Sequence, residues 1–277
     1  MDKLCIYKGK VRDIYNIDDN FLLMKATDRV SSFNKNLGII PGKGEILNKM
    51  SKFWFEKTSH IIKNHLISIK GPDMIVKKCT PIKVEFVVRG YITGNTSTSL
   101  WTHYKNGERL YCGIKFPDGL VKNEILSTPV VTPTTKTDDD EPISKNYIIE
   151  QKILTTKECD FIYSKALALF KFGQDIADKA GYILVDTKYE FGKTVDGKII
   201  LIDELHTCDS SRYWLKDTYK ERLTEKKEPD KLDKDCIRDW VRSKCDPYTD
   251  SIPPIPKEII KEAYNNYRNF YEQLISQ

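Results

Sequence analysis

Residues 182–203 read Tyr182-Ile-Leu-Val-Asp-Thr-Lys-Tyr-Glu-Phe-Gly-Lys-Thr-Val-Asp-Gly-Lys-Ile-Ile-Leu-Ile-Asp203, two runs of strand-forming residues separated by Asp196-Gly197. An Asp-Gly dipeptide between such runs predicts a β-hairpin with a two-residue type I′ turn. A two-residue loop places three pairs of residues opposite each other: Val195 and Lys198, Phe191 and Ile202, and Glu190 and Asp203.

The pair Glu190 and Asp203 brings two like charges together in this predicted hairpin. Directly opposed side chains have Cβ atoms roughly 4.5–5.5 Å apart, and like charges there repel each other. A cation between them would relieve the repulsion, and Mg²⁺ is suited because it binds through one or two carboxylates plus substrate phosphates. The alternative is a solvated surface pair without metal, and a one-residue bulge would break the register.

The composition indicates a soluble globular protein with local anion sites. With 277 residues, 40% hydrophobic and 31% charged, the chain has enough apolar sequence for one large domain or two smaller ones. The net charge of +5 is mild and the signs are interspersed, which favours local anion sites over a nucleic-acid partner. No run approaches the ~20 apolar residues of a membrane span, and the first residues lack a signal-peptide core, so we expect a cytoplasmic location.

The seven cysteines are scattered and lack CxxC spacing. This pattern is typical of reduced thiols and favours neither a disulfide framework nor a zinc site.

Periodicity and turn signals predict a mixed chain of class α+β, with strands first and few helices among them. Thr155 and Glu158 form a capping box for a helix that stops near Gly181. Residues 217–250 are charged and are expected to form surface helix and loop. The other predicted elements are strands over 4–17, 21–27, 74–78 and 84–91, a helix over 45–63, a loop over 132–142, and a C-terminal helix with an apolar stripe of Ile260, Tyr264, Tyr267, Tyr271 and Leu274.

Basic residues alternate near the N-terminus, where Lys8, Lys10 and Arg12 surround Gly9. On one strand these three side chains would share a face, and a glycine would allow close approach of a ligand to the backbone. The pattern therefore suits a phosphate cradle, although a basic edge strand that discourages aggregation explains it equally well.

Two further groups of polar residues are candidates for anion binding. Glu85 and Arg89 lie on one face of a predicted strand. There Arg89 can bind a phosphate or carboxylate through two nitrogens, or it can pair with Glu85. After the hairpin, Asp209 or Ser210 is placed to cap a helix whose start could also bind an anion. Lys188 shares a strand face with acidic neighbours, so it forms a salt bridge or contacts a phosphate.

Taken in order, these motifs resemble the SAICAR synthetase (phosphoribosylaminoimidazole-succinocarboxamide synthase) family over residues 7 to about 214. The matching stretches are Gly9-Lys-Val-Arg-Asp13, Thr27-Asp-Arg-Val-Ser31, Ile40-Pro-Gly-Lys-Gly44, Ser51-Lys-Phe-Trp-Phe55, Val87-Val-Arg-Gly-Tyr91, Val121-Lys-Asn-Glu124, Thr132-Pro-Thr-Thr-Lys136, Leu184-Val-Asp-Thr-Lys-Tyr-Glu-Phe-Gly192 and Asp209-Ser-Ser-Arg-Tyr-Trp214.

The resemblance implies a fold and a reaction. The fold is α+β, with a small antiparallel-sheet N-terminal domain (1–80), a larger α+β domain (81–277) and an ATP cleft between them. The reaction is an ATP-dependent ligation that joins L-aspartate to the carboxylate of carboxyaminoimidazole ribonucleotide and yields SAICAR, ADP and phosphate. The enzyme would be monofunctional, with small molecules as its only partners, and a monomer or homodimer.

The resemblance also implies roles for individual residues. ATP would be bound by residues of four segments: Lys8, Gly9, Lys10, Val11 and Arg12 at the phosphates, Lys77 and Lys78 beside adenine, Lys122, and the Mg²⁺ ligands Glu190 and Asp203. The catalytic set would be Asp186, Lys188 and Arg89. The ribonucleotide side would comprise Glu85, Arg89, Asn95, Ser210 and Arg212, with Arg89 and Arg212 on the 5′-phosphate.

Three residues depart from the family pattern: Asn95 replaces the usual Ser, Asn34 the usual Asp, and Cys208 the usual Pro. An amide still forms hydrogen bonds, so these changes are expected to tune the site. Two other classes of protein stay open. One is a different ATP-dependent phosphotransferase, such as a small-molecule kinase, which would not need both Arg89 and Arg212; the other is a non-catalytic nucleotide-binding module.

Overall fold

Two five-stranded antiparallel sheets organise the chain in a computed structural model that describes residues 4–33, 35–137, 140–232 and 235–277. In chain order the elements are β1 (Cys5–Lys8), β2 (Arg12–Asn16), β3 (Phe21–Ala26), β4 (Arg29–Ser32), β5 (Lys35–Ile39), α1 (Lys43–Lys57), β6 (Leu66–Lys70), β7 (Asp73–Lys77), β8 (Thr80–Tyr91), α2 (Leu100–Lys105), β9 (Leu110–Tyr111), β10 (Ile114–Lys115), β11 (Ile125–Thr135), α3 (Lys145–Glu150), α4 (Thr156–Lys179), β12 (Tyr182–Lys193), β13 (Ile199–Ile202), β14 (Ser211–Leu215), α5 (Lys216–Thr224), α6 (Asp235–Lys244) and α7 (Lys257–Ile275).

The N-terminal sheet has the strand order β1-β2-β3-β7-β6. Helix α1 packs on it because Leu47, Met50 and Trp54 recur at helical spacing and are all fully buried. The helix ends at Lys57, six residues before the predicted end. The predicted single strand over 4–17 is wrong, because Gly9 donates its N–H to the carbonyl of Arg12 (2.8 Å) and turns the chain into the hairpin β1–β2.

The second sheet has the order β11-β8-β12-β13, with β14 also paired to β12. Strand β12 is central, and both of its faces are largely buried. Helix α4 covers one face of this sheet. Its N-terminus carries the predicted capping box, in which Thr155 accepts from the Glu158 N–H while the Glu158 carboxylate accepts from the Thr155 N–H (2.9 Å).

The β12–β13 hairpin forms, but its predicted register is wrong by one residue. Thr194 donates its N–H to the carbonyl of Lys198, so the loop contains three residues and only Gly197 of these has a positive φ (+77°). A type I′ turn needs positive φ at both central residues, whereas a three-residue loop needs one left-handed residue, usually Gly. The observed pairs are therefore Glu190 with Ile202 and Phe191 with Leu201, and the loop pairs Thr194 with Lys198, not Val195 with Lys198.

The C-terminal helix α7 packs on α1 and buries the predicted stripe in part. Tyr267 and Leu274 are fully buried, and Ala263 and Phe270 join them. The other predicted members, Ile260, Tyr264 and Tyr271, are half-buried at the edge of the core. The N-terminus of α7 follows the prolines of residues 253–256, as the sequence predicts.

The two sheets share one continuous apolar core that contains Met74 of β7 and Phe86 of β8. The backbone also joins them, because His65 donates its N–H to the carbonyl of Leu201 (3.1 Å) and Leu201 donates to that of Lys63 (3.0 Å). The strands change sheet between residues 77 and 80, but the division into domains 1–80 and 81–277 stays a prediction.

Three simpler expectations concern the rest of the chain. Within residues 217–250 the described part contains α5 and α6 with connecting loops, as predicted. All seven cysteines are free thiols. Over the described ranges, no helix combines the length and the apolar composition that crossing a bilayer requires.

Candidate active site

A row of charged side chains lies across the neighbouring strands β8 and β12. In the antiparallel register Arg89 is opposite Asp186, and Glu85 is opposite Glu190, with Lys188 between them along β12. Because strand side chains alternate, these residues share one face of the sheet. The predicted placement of Glu85 and Arg89 on one strand face is confirmed.

Lys188 links the two acidic residues of this row. Its Nζ lies 2.8 Å from Glu85 Oε1 and 2.8 Å from Glu190 Oε1. Burial disfavours the Lys188 cation, but the Glu190 and Glu85 carboxylates outweigh it and raise the pKa of Lys188 well above its ordinary value. Burial raises the pKa of Glu85 by more than the Lys188 cation lowers it.

Glu190 is held ionised by two lysines. Its second carboxylate oxygen contacts the Nζ of Lys136, which the sequence analysis did not select as a site residue. Burial opposes ionisation of Glu190, but the cations of Lys188 and Lys136 outweigh it and lower the pKa of this carboxyl to about 2. Lys136 directly follows β11, which pairs with β8, and its place in the quoted family stretch 132–136 was the available signal in the sequence.

Two arginines share the carboxylate of Asp186. Arg212 Nη1 lies 2.9 Å from Asp186 Oδ2, and Arg89 Nη1 lies 3.8 Å from the same oxygen. Arg89 also donates from Nε to the hydroxyl of the buried Thr132 (2.8 Å). One carboxylate for two guanidinium groups leaves an excess positive charge, which suits a phosphate monoester.

The segment 203–210 runs beside this row and connects β13 to β14. Lys188 donates its N–H to the carbonyl of Ser210 (3.0 Å), so the segment is joined to β12 by the backbone. Asp203 and His206 have φ values of +65° and +50°, which is uncommon for residues other than glycine and marks local strain.

The predicted helix start at Asp209 or Ser210 is wrong. The chain makes a turn at 208–210 and enters strand β14 at Ser211. A strand forms here instead of a helix because Tyr213 and Trp214 are buried and β14 pairs with β12. The carboxylate of Asp209 does not cap a helix but lies 2.7 Å from the Nζ of Lys43. Cys208, one of the departures from the family pattern, is buried in the same turn.

Arg12 contacts the segment 203–210 from the N-terminal sheet. Its Nη2 lies 3.1 Å from Glu204 Oε2 and 3.4 Å from Ser51 Oγ. Its Nε and Nη1 are buried and have no hydrogen-bond partner within the part of the chain that the structure describes. Because residues 9–11 form a turn, Lys8 and Lys10 are exposed while Arg12 is buried, and the predicted common strand face of these three cations is wrong.

Asp203 is a carboxylate close to other acidic side chains. Burial, followed by the charges of Glu190 and Glu204, raises the pKa of the Asp203 carboxyl to about 7. No ion pair joins Asp203 to another residue of the described ranges, and these ranges contain no group of three metal-ligating side chains. Mg²⁺ needs only one or two protein carboxylates beside substrate phosphates, so Asp203 fits that ion, whereas both carboxylate oxygens of Glu190 contact lysines.

The remaining predicted positions lie outside the charged row. Lys122 pairs with Glu228 (2.5 Å), and Lys78 donates to the side chain of Asn16 (3.1 Å). Lys77 ends β7, Val11 lies in the β1–β2 turn, and Asn95 is exposed in the loop after β8. The hydroxyl of Ser210 lies within hydrogen-bond distance of those of Thr207 and Ser211. Asn34 falls outside the described residues.

A buried histidine, which was not predicted as a site residue, contacts strand β12 behind the charged row. His206 Nε2 lies 2.5 Å from the hydroxyl of Tyr189 on β12, and the carbonyl of His206 accepts from Tyr213 (2.8 Å). Burial lowers the pKa of His206 to about 3, so the imidazole is neutral. Gly173 of α4 makes room for it, because a Cβ there would lie 2.4 Å from His206 Cε1.

Comparison with known proteins shows which family has this architecture. The family model of SAICAR synthetase matches residues 5–255. A phosphoribosylaminoimidazole-succinocarboxamide synthase of Legionella pneumophila (strain Lens) is 50% identical over 271 residues, which cover 97% of this chain and 86% of the relative.

Solved structures agree. The SAICAR synthase from Saccharomyces cerevisiae complexed with SAICAR superposes with a TM-score of 0.87 at 31% identity and covers 99% of this chain and 95% of that one. A type-2 SAICAR synthetase in complex with ADP gives a TM-score of 0.73 at 27% identity, with 98% and 97% covered.

These likenesses define the class of protein, an ATP-dependent carbon–nitrogen ligase of purine biosynthesis that ligates aspartate. More particularly, the chain belongs to the SAICAR synthetase family. The predicted family, fold class and enzyme class are thereby confirmed.

Proposed function

We propose that the charged row on β8 and β12 carries the family reaction in this chain. A carboxylate oxygen of carboxyaminoimidazole ribonucleotide attacks the γ-phosphorus of ATP, and the bond from that phosphorus to ADP breaks. The amine of L-aspartate then attacks the acyl carbon, loses a proton and displaces phosphate to give SAICAR. The observation that carries this assignment is the pairing of Lys188 with two carboxylates directly beside an Asp186 that two arginines share.

The ribonucleotide is assigned to the arginine side of the row. Arg89 and Arg212 supply more positive charge than Asp186 neutralises, and the fork of a guanidinium matches a phosphate. Asp186 holds both groups in position before the substrate arrives, which lowers the cost of ordering them. Ser210, Glu85 and Asn95 are proposed as further contacts on this side.

The transferring phosphoryl group is assigned to the other end of the row. Such transfers depend on positioning and on neutralising the charge of the phosphoryl oxygens. Lys188 is the cation for this task, and Lys136 lies beside it on the same carboxylate. Glu190 and Asp203 would hold Mg²⁺, which when bound neutralises charge on the ATP phosphates. Ionisation of Asp203 is disfavoured without a cation, and this supports the pair.

The ATP phosphates are assigned to the β1–β2 hairpin. Two guanidinium nitrogens of Arg12 have no partner among the described residues, which supports this assignment because buried donors need acceptors and an anion would supply them. The turn that positions Arg12 needs Gly9, since a Cβ at this position would lie 2.7 Å from the Arg12 carbonyl oxygen. Lys8, Lys10 and Val11 complete this proposed segment, with Lys77, Lys78 and Lys122 proposed near the nucleotide.

The test is ADP release by the folded enzyme with carboxyaminoimidazole ribonucleotide and Mg·ATP, with and without L-aspartate. We expect an aspartate-dependent product with the mass of SAICAR. ATP consumption that yields a phosphorylated product without any aspartate requirement would favour a kinase instead. ATP binding without turnover would identify a non-catalytic module.

The proposal includes a cytoplasmic enzyme, monomeric or homodimeric, that uses small molecules and neither nucleic acid nor membrane. The mild net charge of +5 with interspersed signs supports the small-molecule part. Light scattering after gel filtration measures the subunit number, and cell fractionation measures the location.

A further inference from the structure

A buried network joins three distant parts of the chain behind the ribonucleotide side of the row. The Nζ of Lys43, the first residue of α1, lies 2.7 Å from Asp209 Oδ2. The hydroxyl of Tyr267 on α7 donates to the other oxygen, Asp209 Oδ1, at 2.7 Å. The side chains of Lys43 and Asp209 are each 1% exposed, and Tyr267 is fully buried.

The position of Lys43 cannot be explained by the stability of α1. A cation in the first turn opposes the helix dipole, and a buried ammonium group is costly without a partner. The start of α1 is held instead by Asp28, whose carboxylate accepts the N–H groups of Gly42 (3.0 Å) and Gly44 (2.9 Å). Lys43 therefore has a fixed backbone from which it contacts Asp209.

Asp209 directly precedes the residues assigned to the ribonucleotide. Ser210 follows it and accepts the N–H of Lys188 with its carbonyl, and Arg212 pairs with Asp186. A movement of the Asp209 backbone would shift these groups on β12 and β14 together. Contacts that hold Asp209 from two sides therefore also hold Arg212 in position.

We infer that Lys43, Asp209 and Tyr267 are positioning residues that set the affinity for the ribonucleotide, and that the C-terminal helix α7 is thereby a determinant of substrate binding. This inference rests on the proposed function, because it takes Arg212 as a ligand of the ribonucleotide phosphate. All three side chains are buried away from solvent, so we assign them to positioning and not to contact with the substrate.

The decisive variant is Tyr267→Phe, which deletes one hydroxyl and keeps the ring in the core. Tyr271→Phe is the matched control, because it deletes a hydroxyl from a half-buried tyrosine on the same helix. We expect Tyr267→Phe to raise the KM for the ribonucleotide about five- to tenfold, since small displacements of binding groups reduce affinity strongly. The KM for ATP and the melting temperature should stay close to those of the control.

Asp209→Asn provides a second, independent variant. Its amide oxygen still accepts from Tyr267, but the buried Lys43 ammonium group loses its counter-charge, so we expect a rise in the ribonucleotide KM together with a lower melting temperature. Calorimetric titration with the ribonucleotide alone should show weaker binding by the same factor in both variants.

Equal kinetics for Tyr267→Phe and Tyr271→Phe would overturn this inference, and so would a parallel rise in the KM values for ATP and the ribonucleotide. If instead the unmodified enzyme forms no aspartate-dependent product, the proposed function fails and the inference fails with it. The wild-type assay therefore separates the two failures.

Discussion

Replacement of Asp203 by Asn should stabilise the protein and abolish most of its turnover. Each unit of pKa difference between the folded and unfolded states corresponds to about 1.4 kcal/mol. The carboxyl has a pKa of about 7 in the folded protein against an ordinary value of 3.8. Holding it ionised at pH 8 therefore costs at most about 4 kcal/mol, and partial exposure of the side chain reduces this to roughly 1–3 kcal/mol.

The sign of the effect gives it a characteristic pH dependence. An acid whose pKa is raised by folding stabilises the folded state below its unfolded value of 3.8, and this contribution is lost as the pH rises through about 7. The amide does not titrate. The variant should therefore gain only about two fifths as much at pH 5 as at pH 8, where its melting temperature should exceed that of the wild type by roughly 3–10 °C.

Thermal unfolding without nucleotide or metal, at pH 5 and pH 8, measures this gain, and ADP release measures turnover. Turnover should fall at least about a hundredfold, because a charged group at the phosphoryl site is lost. Asp196→Asn is the control, since Asp196 is an exposed carboxylate of the same hairpin, and it should keep wild-type turnover. A variant that is less stable than the wild type at pH 8 would refute the electrostatic reasoning, and wild-type turnover would refute the metal assignment.

Three further substitutions test the row and its support. Lys188→Met leaves Glu190 and its acidic neighbour without their shared cation, so turnover should fall about a thousandfold and the free energy of unfolding by roughly 2–4 kcal/mol in thermal denaturation. Arg212→Lys keeps the charge but loses the fork, and steady-state kinetics should show about a tenfold higher KM for the ribonucleotide with an unchanged KM for ATP. Gly173→Ala places a methyl group against His206 and should lower the free energy of unfolding by about 1–3 kcal/mol; an unchanged melting temperature would contradict this packing.

Local patterns in the sequence were sufficient for much of the fold. The capping box of Thr155 and Glu158 predicted the start of α4, because its hydrogen bonds join residues three apart. The alternation of β8 predicted the common face of Glu85 and Arg89, because successive strand side chains point to opposite faces of the sheet. The motif order identified the family, which the comparisons confirmed.

Small differences in the backbone explain the wrong predictions for the β12–β13 hairpin and for the N-terminal basic residues. One extra loop residue at Gly197 moved the partner of Glu190 from Asp203 to Ile202, although the two carboxyls still interact electrostatically. A turn at Gly9 separated Arg12 from the two lysines beside it. In the first case one residue of register changed the pairing, and in the second a turn placed the side chains on different strands.

The sequence by itself determined the types of element, the family and most of the charged row, because strand alternation and helix caps depend on neighbours in the chain. Only the tertiary structure decided that Lys136 contacts Glu190, that Arg12 reaches Glu204, and that Tyr267 joins Asp209. These contacts join residues 54, 192 and 58 positions apart. No local pattern encodes such distances, since they follow from how the two sheets and α7 pack around one core.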